Sequence, residues 1–171
     1  MDKIGLNFGL LIAYLIPGFL GTYALADHVG TIKELLGGPE RVPTTGSIAP
    51  LLLIALAVGI VINAFSSVVI RPLIHVSGVK HAKGIVYRKF SSEDMAKYQL
   101  SLESTFRYHQ FYSNMLVAIL LLTRLWFAPP FPERGFRIAA FLVVTSVLFS
   151  AARSSLRSFY VAMSEFIEHA K

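Results

Sequence analysis

The sequence predicts an all-α integral membrane protein with four transmembrane helices, the last two extended into a cytoplasmic helical stalk. Composition is the first observation: 54% of the 171 residues are apolar and only 15% are charged, against roughly 45–50% and 25% in soluble domains. The second is that the apolar residues collect into four stretches separated by loop residues. A soluble domain of this size has too little interior for so much apolar surface, so a bilayer is the expected solvent.

The four stretches form one predicted membrane domain over residues 1–171. A helix needs about 20 apolar residues to cross the hydrocarbon core, and the Pro-rich turn at 128–132 joins the last two helices as an antiparallel hairpin. The predicted segments are the first span over 4–26, the second over 48–70, the third with its stalk over 92–127 and the fourth with its stalk over 136–170.

Prolines modify the first two spans. Pro17 and Gly18 lie two-thirds along the first span, and the missing N–H predicts a kink or a short break there. Pro50 falls in the first turn of the second span, where a missing N–H costs little. Between these spans, Gly and Pro predict a loop with a short amphipathic turn at 32–36.

Orientation follows from the basic residues, because cytoplasmic loops carry more Lys and Arg. With both termini inside, eleven of the sixteen Lys and Arg lie on the cytoplasmic side. The sequence therefore predicts a multi-pass protein of the bacterial inner membrane with both termini in the cytoplasm.

The stalk is predicted from uninterrupted helical periodicity beyond the last two spans. Apolar residues recur at helical spacing in both segments, so the two stripes are expected to pack together. These stripes consist of Met95, Tyr98, Leu102 and Phe106 in one helix and Leu156, Tyr160, Met163 and Ile167 in the other.

A basic cytoplasmic loop is predicted over 71–91, as short strands or an irregular interfacial segment. Its charge can attract anionic lipid, bind an anionic ligand such as a nucleotide or oligonucleotide, or dock an acidic cytosolic protein. The candidate ligand or partner residues are Arg71, Lys80, Lys83, Arg88 and Lys89 of this loop, with Arg153 and Arg157 of the fourth helix.

Two stripes of small and polar residues run along the spans at i, i+4 spacing. Unpaired polar groups are costly in hydrocarbon, so each stripe predicts either helix packing through small residues or a water-filled path between subunits. The candidate pore-lining or helix-packing residues are Ala55, Gly59, Asn63 and Ser67 in the second span and Ser146 and Ser150 in the fourth.

Catalytic and metal chemistry find little support in the sequence. The chain has no cysteine, and the five histidines show no ligand spacing. Ser154, Ser155 and Ser158 stand beside arginines and not beside an acid or a histidine that could act as a base. We expect no catalytic residue, no cofactor and no metal, and a protein that is not an enzyme.

One short segment resembles a known family. Arg107, Gln110 and Asn114 resemble the small four-helix glutathione-using membrane enzymes, which pair polar residues with an arginine near the cytoplasmic end of a helix. The resemblance covers under a dozen residues, and the acidic residue that the family has after the asparagine is missing because Met115 and Leu116 follow. No family site is transferred to this chain.

The leading functional hypothesis is a homo-oligomeric membrane channel or pore-type effector. Its basic cytoplasmic region would receive a signal from a soluble partner or an anionic ligand, as in small membrane effectors of bacterial antiviral defence. The alternatives are a non-conducting membrane anchor or receptor that recruits a cytosolic protein, and a small lipid-modifying membrane enzyme.

Overall fold

The computed structural model describes residues 3–26, 28–36, 45–79, 96, 98–100, 105–123 and 133–169. Within these ranges the chain is all-helical and contains no strand. The helices are α1 (Lys3–Leu25), α2 (Gly30–Leu35), α3 (Thr45–Val76), α4 (Arg107–Leu121) and α5 (Glu133–His169).

Two of these helices contain segments that are long and apolar enough to cross a membrane, namely Ile48–Val76 of α3 and Arg134–Ser164 of α5. Apolar side chains line the outside of α3: Leu53, Val61 and Val68 are 69, 67 and 74% exposed. At roughly 25 cal/mol per Å² of apolar surface, such a face is unfavourable in water. Both observations indicate membrane association.

α1 passes through Pro17 as one helix from Lys3 to Leu25, so the predicted short break is absent. Thr22 helps to maintain the turn after the proline, because its hydroxyl donates to the Gly18 carbonyl at 2.8 Å. The predicted turn in the following loop is the short helix α2, in which Ile32 is buried.

The helix that contains the second predicted span, 48–70, extends beyond that span at both ends. Its segment that is long and apolar enough to cross a membrane begins at Ile48, as predicted, and continues to Val76. α3 begins at Thr45, which places Pro50 in the second turn instead of the first. It also continues to Val76 through Pro72, so Arg71 is helical and does not belong to a loop. The physical reason is packing: Ile70 and Ile74, one turn apart and 3% and 0% exposed, continue the buried face past the proline.

α5 is a single helix of 37 residues, close to the predicted 136–170 segment. At 1.5 Å per residue it is about 55 Å long. The start of the third predicted segment, the turn at 128–132 and most of the basic loop lie outside the described residues.

The core lies where α3, α4 and α5 meet, and α4 packs against α1, α3 and α5. Buried aliphatic side chains from all three helices fill this core: Ile62, Ile70, Ile74, Leu116, Val117, Ala118, Ala152 and Leu156, with Val79 from the turn after α3.

Pair contacts define the directions of the helices. Arg71 lies over Phe106 while Asn63 lies beside Asn114, so α3 and α4 are antiparallel. His109, one turn into α4, bonds to Ala152 of α5.

The other two relations follow in the same way. Phe106, just before α4, contacts Phe159, later in α5 than Ala152, with ring centroids 5.0 Å apart; α4 and α5 are therefore antiparallel. Arg107 lies against Gly9 and Asn114 bonds to Ala13, so α1 runs parallel to α4. The start of α1 and the end of α5 consequently lie at the same end of the bundle.

Candidate functional site

A buried polar group joins three helices in the middle of the bundle. Asn114 of α4 is completely buried. Its side-chain amide donates to the carbonyl of Ala13 at 3.1 Å and to Oδ1 of Asn63 at 3.4 Å. Its own Oδ1 is buried without a hydrogen-bond partner. We call Asn63, Asn114 and the Ala13 carbonyl the asparagine cluster.

Pro17 explains why Ala13 offers its carbonyl. In a helix this carbonyl would accept from the N–H four residues later, and a proline at that position has none. A free carbonyl in an apolar interior costs free energy until another donor reaches it. Asn114, 101 residues away in sequence, supplies that donor.

The predicted stripe on α3 faces other helices of the same chain. Ala55 and Gly59 are buried, and a Cβ atom added to Gly59 would lie 2.1 Å from the carbonyl oxygen of Tyr14. The contact is reciprocal, because a Cβ on Gly18 would lie 1.8 Å from the Ala55 carbonyl oxygen. Ser67 donates to the Asn63 carbonyl at 2.9 Å. Within one chain this stripe lies against α1 and α4.

The predicted stripe on α5 has the opposite environment. Ser146 and Ser150 are exposed, and so are Ser154, Arg153 and Arg157 on the same face. Leu156 and Ala152, on the other face, are 0% exposed. The two stripes look alike in sequence, but the structure buries one and leaves the other on the surface.

At one end of the bundle, Arg71 lies at the junction of α3, α4 and α5. Its guanidinium carbon lies 5.3 Å from the centroid of the Phe106 ring, which is within the range of a cation–π interaction. Its Nε is buried and has no hydrogen-bond partner. We call this region the cationic junction, defined by Arg71, His75, His109, Arg153 and Tyr160.

His75 and Tyr160 contribute a polar pair to the cationic junction. The Nδ1–H of His75 donates to the Val79 carbonyl at 2.8 Å, which leaves Nε2 as an acceptor. The Tyr160 hydroxyl lies 3.5 Å from that Nε2, and the two rings are 5.7 Å apart.

Arg153 caps the end of α3. Its Nη2 donates to the Ser77 carbonyl at 2.9 Å, so a cation meets carbonyls that the helix leaves unpaired. Gly78 follows with φ of +99°, a conformation that needs glycine. This cap holds α5 against the last turn of α3.

His109 and Ser113 form a close pair that lacks nucleophile-and-base geometry. Ser113 Oγ lies 3.4 Å from Nδ1 of His109. That nitrogen carries the proton donated to the Ala152 carbonyl at 2.9 Å, so it cannot accept one from serine. The pair joins α4 to α5.

The predicted ligand residues divide into three groups. Arg71 and Arg153 both lie near the end of α3, Arg153 through its bond to the Ser77 carbonyl, and Arg157 is exposed one turn further along α5. Lys80, Lys83, Arg88 and Lys89 lie outside the described residues. No group of three His, Asp or Glu able to hold a metal ion occurs in the described ranges.

Sequence reasoning missed His75, His109 and Asn114 as site residues. A signal was present, because His75 follows Arg71 by one helical turn and Asn114 lies inside an apolar span. Polar residues in such positions are costly unless they are paired inside the protein, and the structure shows such pairing for the amide nitrogen of Asn114.

The fold and these sites define a class: an all-helical chain with two helices able to cross a membrane and a cluster of cations at one end. Comparison with protein-family models, with curated proteins and with solved structures found no match.

Proposed function

We propose that this protein is a homo-oligomeric membrane effector of the channel or pore type, with α1, α3, α4 and α5 all in the bilayer. The observation that carries the proposal is the exposed polar face of α5. Ser146 and Ser150, with the cations Arg153 and Arg157, follow one side of a helix that is apolar enough to cross a membrane.

Four spans are supported by the directions of the helices. α1 is 23 residues long, or about 34 Å at 1.5 Å per residue, enough to cross the hydrocarbon core. α4 packs between α1, α3 and α5; it runs parallel to α1 and antiparallel to α3 and α5, so the direction reverses from each of these helices to the next along the chain. The distribution of Lys and Arg favours placing both termini in the cytoplasm of a bacterial cell.

Assembly is supported by the environments of the two stripes. The α3 stripe is closed by α1, so a single copy offers no polar path along it. The serines of α5 face outward, where small residues permit close helix approach and hydroxyls can bond between helices. Symmetric association of α5 would surround a polar path with Ser146 and Ser150.

The cations at the end of the same face suggest how the assembly is controlled. Arg153 and Arg157 continue the serine face toward the cationic junction. A soluble partner or an anionic ligand that binds there can act directly on α5. Membrane effectors of antiviral defence follow such a plan, and this analogy supplies the biological role in the proposal.

Cysteine cross-linking tests the assembly, because the chain has no native cysteine. We expect Ser150→Cys to give disulfide-linked dimers in membranes. Phe149→Cys is the matched control, since Phe149 is the neighbouring residue but packs on the buried core. Equal cross-linking of both variants, or a monomeric mass in detergent, would contradict the proposal.

Flux through proteoliposomes tests conduction. Ser150→Leu should abolish ion or dye flux while the mass of the assembly is unchanged, because the hydroxyl lining becomes apolar. Val143→Leu, an apolar exchange two turns earlier on the exposed side of α5, should conduct like the unmodified protein. An intact assembly without any flux would identify a non-conducting anchor instead.

A further inference from the structure

We infer that the cationic junction binds a phosphate group, with Arg71 as the main ligand and Arg153 as the second. The inference rests on the proposed function, which puts this end of the bundle at the cytoplasmic face of the membrane. It goes beyond that function by assigning the ligand class and the residues.

Arg71 has unused hydrogen-bonding capacity at a buried position. Its Nε is inaccessible and unpaired, although buried polar groups are nearly always bonded. The Phe106 ring, whose centroid lies 5.3 Å from the guanidinium carbon, offers a cation–π contact and no lone-pair acceptor. Because the five donors lie in the guanidinium plane, this contact consumes none of them. A phosphate can accept two of these bonds side by side.

Among the side chains that the structure describes, those around Arg71 carry no negative charge. His75 and His109 each donate Nδ1–H to a backbone carbonyl, that of Val79 and that of Ala152. Tyr160 adds a hydroxyl. Among the described residues, Glu34 is the one whose carboxylate side chain can be placed. It belongs to α2, which packs near α1 and α3 and makes no comparable contact with α4 or α5.

A partly buried cation without an anion is unfavourable. Removing a charge from water costs several kcal/mol unless an opposite charge or hydrogen bonds compensate for it. In the junction the compensation visible around Arg71 is one aromatic face. An anion bound from outside the described part of the chain would complete the site.

Arg153 provides a second cation. It spends one of its donors on the Ser77 carbonyl, which fixes the head group near the end of α3, while the side chain remains exposed. Two arginines held by separate helices suit an oxyanion with several acceptor oxygens. Binding would tie α3 to α5, the helix with the exposed serine face.

The phosphate has two sources. In the proposed topology the junction, where the apolar run of α3 ends, would lie at the depth of phospholipid head groups. The exposed side chain of Arg153 would also be within reach of solutes from the cytoplasm. A lipid phosphodiester and a soluble phosphate compound offer the same oxygens, so the experiment must separate them.

The test uses the full-length protein in a maltoside detergent, which contains no phosphate. One arm adds phosphatidylglycerol and counts bound lipid by native mass spectrometry. The other adds inorganic phosphate or ATP and follows thermal unfolding. We expect saturable binding in one arm, and Arg71→Gln should weaken it about tenfold or more, as expected for a lost charge-assisted pair.

Two further variants make the result specific. Arg71→Lys keeps the charge but loses the planar fork, so it should bind with intermediate affinity. Arg134→Gln removes an exposed arginine at the opposite end of α5 and should leave binding unchanged. If Arg71→Gln does not fold, Arg153→Gln should weaken binding severalfold in its place.

The outcomes separate this inference from the proposed function. The phosphate site is overturned if neither arm shows binding. It is also overturned if the wild type, Arg71→Gln and Arg153→Gln bind equally. Either result would indicate that Arg71 pairs with one of the chain's own carboxylates. A monomer that binds phosphate through Arg71 retains the site and refutes the oligomer. An assembly that conducts without binding phosphate supports the proposed channel and refutes the phosphate site.

Discussion

Pro17 and Asn114 act together on one backbone carbonyl, that of Ala13. Proline in α1 frees the carbonyl of Ala13, and the side chain of Asn114 occupies it at 3.1 Å. The exchange replaces a bond within one helix by a bond between two helices. A proline that weakens α1 locally therefore helps to fix where α4 docks.

This coupling predicts a non-additive pair of substitutions. Asn114→Leu leaves the Ala13 carbonyl unpaired, and it should lower the free energy of unfolding by about 1–2 kcal/mol. In a Pro17→Ala background the backbone N–H of residue 17 can satisfy that carbonyl. The loss from Asn114→Leu should then shrink clearly.

A double-mutant cycle in detergent, measured by thermal or denaturant unfolding, tests this coupling. Ser113→Ala is a useful control, since Ser113 is the equally buried neighbour but bonds within its own helix turn. Additive effects of the two substitutions would show that Asn114 does not serve the proline's carbonyl.

At the scale of elements, α1 and α3 are held together by backbone contact. Gly18 and Gly59 bring each helix directly against the carbonyls of the other. In a bilayer, association depends on such close packing because lipid is as apolar as the side chains. The stripe of Ala55 and Gly59 therefore packs against α1 within one chain.

Adding one methyl group to this crossing should be costly. Gly59→Ala places a Cβ 2.1 Å from the Tyr14 carbonyl oxygen, so the helices must separate, at a cost of about 1–3 kcal/mol. Gly46→Ala in the same helix meets nothing within 4 Å, and it should be neutral or stabilising because alanine favours helix. Equal unfolding temperatures for the two variants would disprove this contact.

At the scale of the whole molecule, the alternating directions of α1, α3, α4 and α5 place the start of α1 and the end of α5 at the same end of the bundle. The same arrangement gathers Arg71, His75, His109 and Arg153 at that end. A ligand or partner at the cationic junction therefore meets three helices at once, including α5. The opposite end carries α2 and the start of α5.

Topology in cells provides a direct check. With four spans, epitope tags on the N- and C-termini should both resist protease added to spheroplasts and both be cleaved in inside-out vesicles. If the N-terminal tag alone is cleaved from outside, an odd number of helices crosses the bilayer. A tagged protein that carbonate releases from membranes would show that no helix crosses it.

The sequence by itself determined that the protein is helical, where α5 begins and ends to within a few residues, and that α3 is apolar. These are local properties. A segment in lipid must satisfy its backbone hydrogen bonds internally, which a helix does, and a long apolar run in the sequence identifies such a segment directly. The sequence assigned Arg71 to the basic loop because the apolar run stops there. α3 continues to Val76 because Ile70 and Ile74 are buried against neighbouring helices.

Tertiary structure alone decided which polar residues are buried. The stripes of Gly59 and Ser150 have the same spacing, and helical periodicity fixes a common face for each without saying what lies opposite. The partner of Asn114 is 101 residues away. Arg71 contacts Phe106, and the sequence between them was assigned to the basic loop over 71–91 and the first part of the segment over 92–127. Contacts over such distances depend on how the helices pack, and that packing is a property of the assembled bundle.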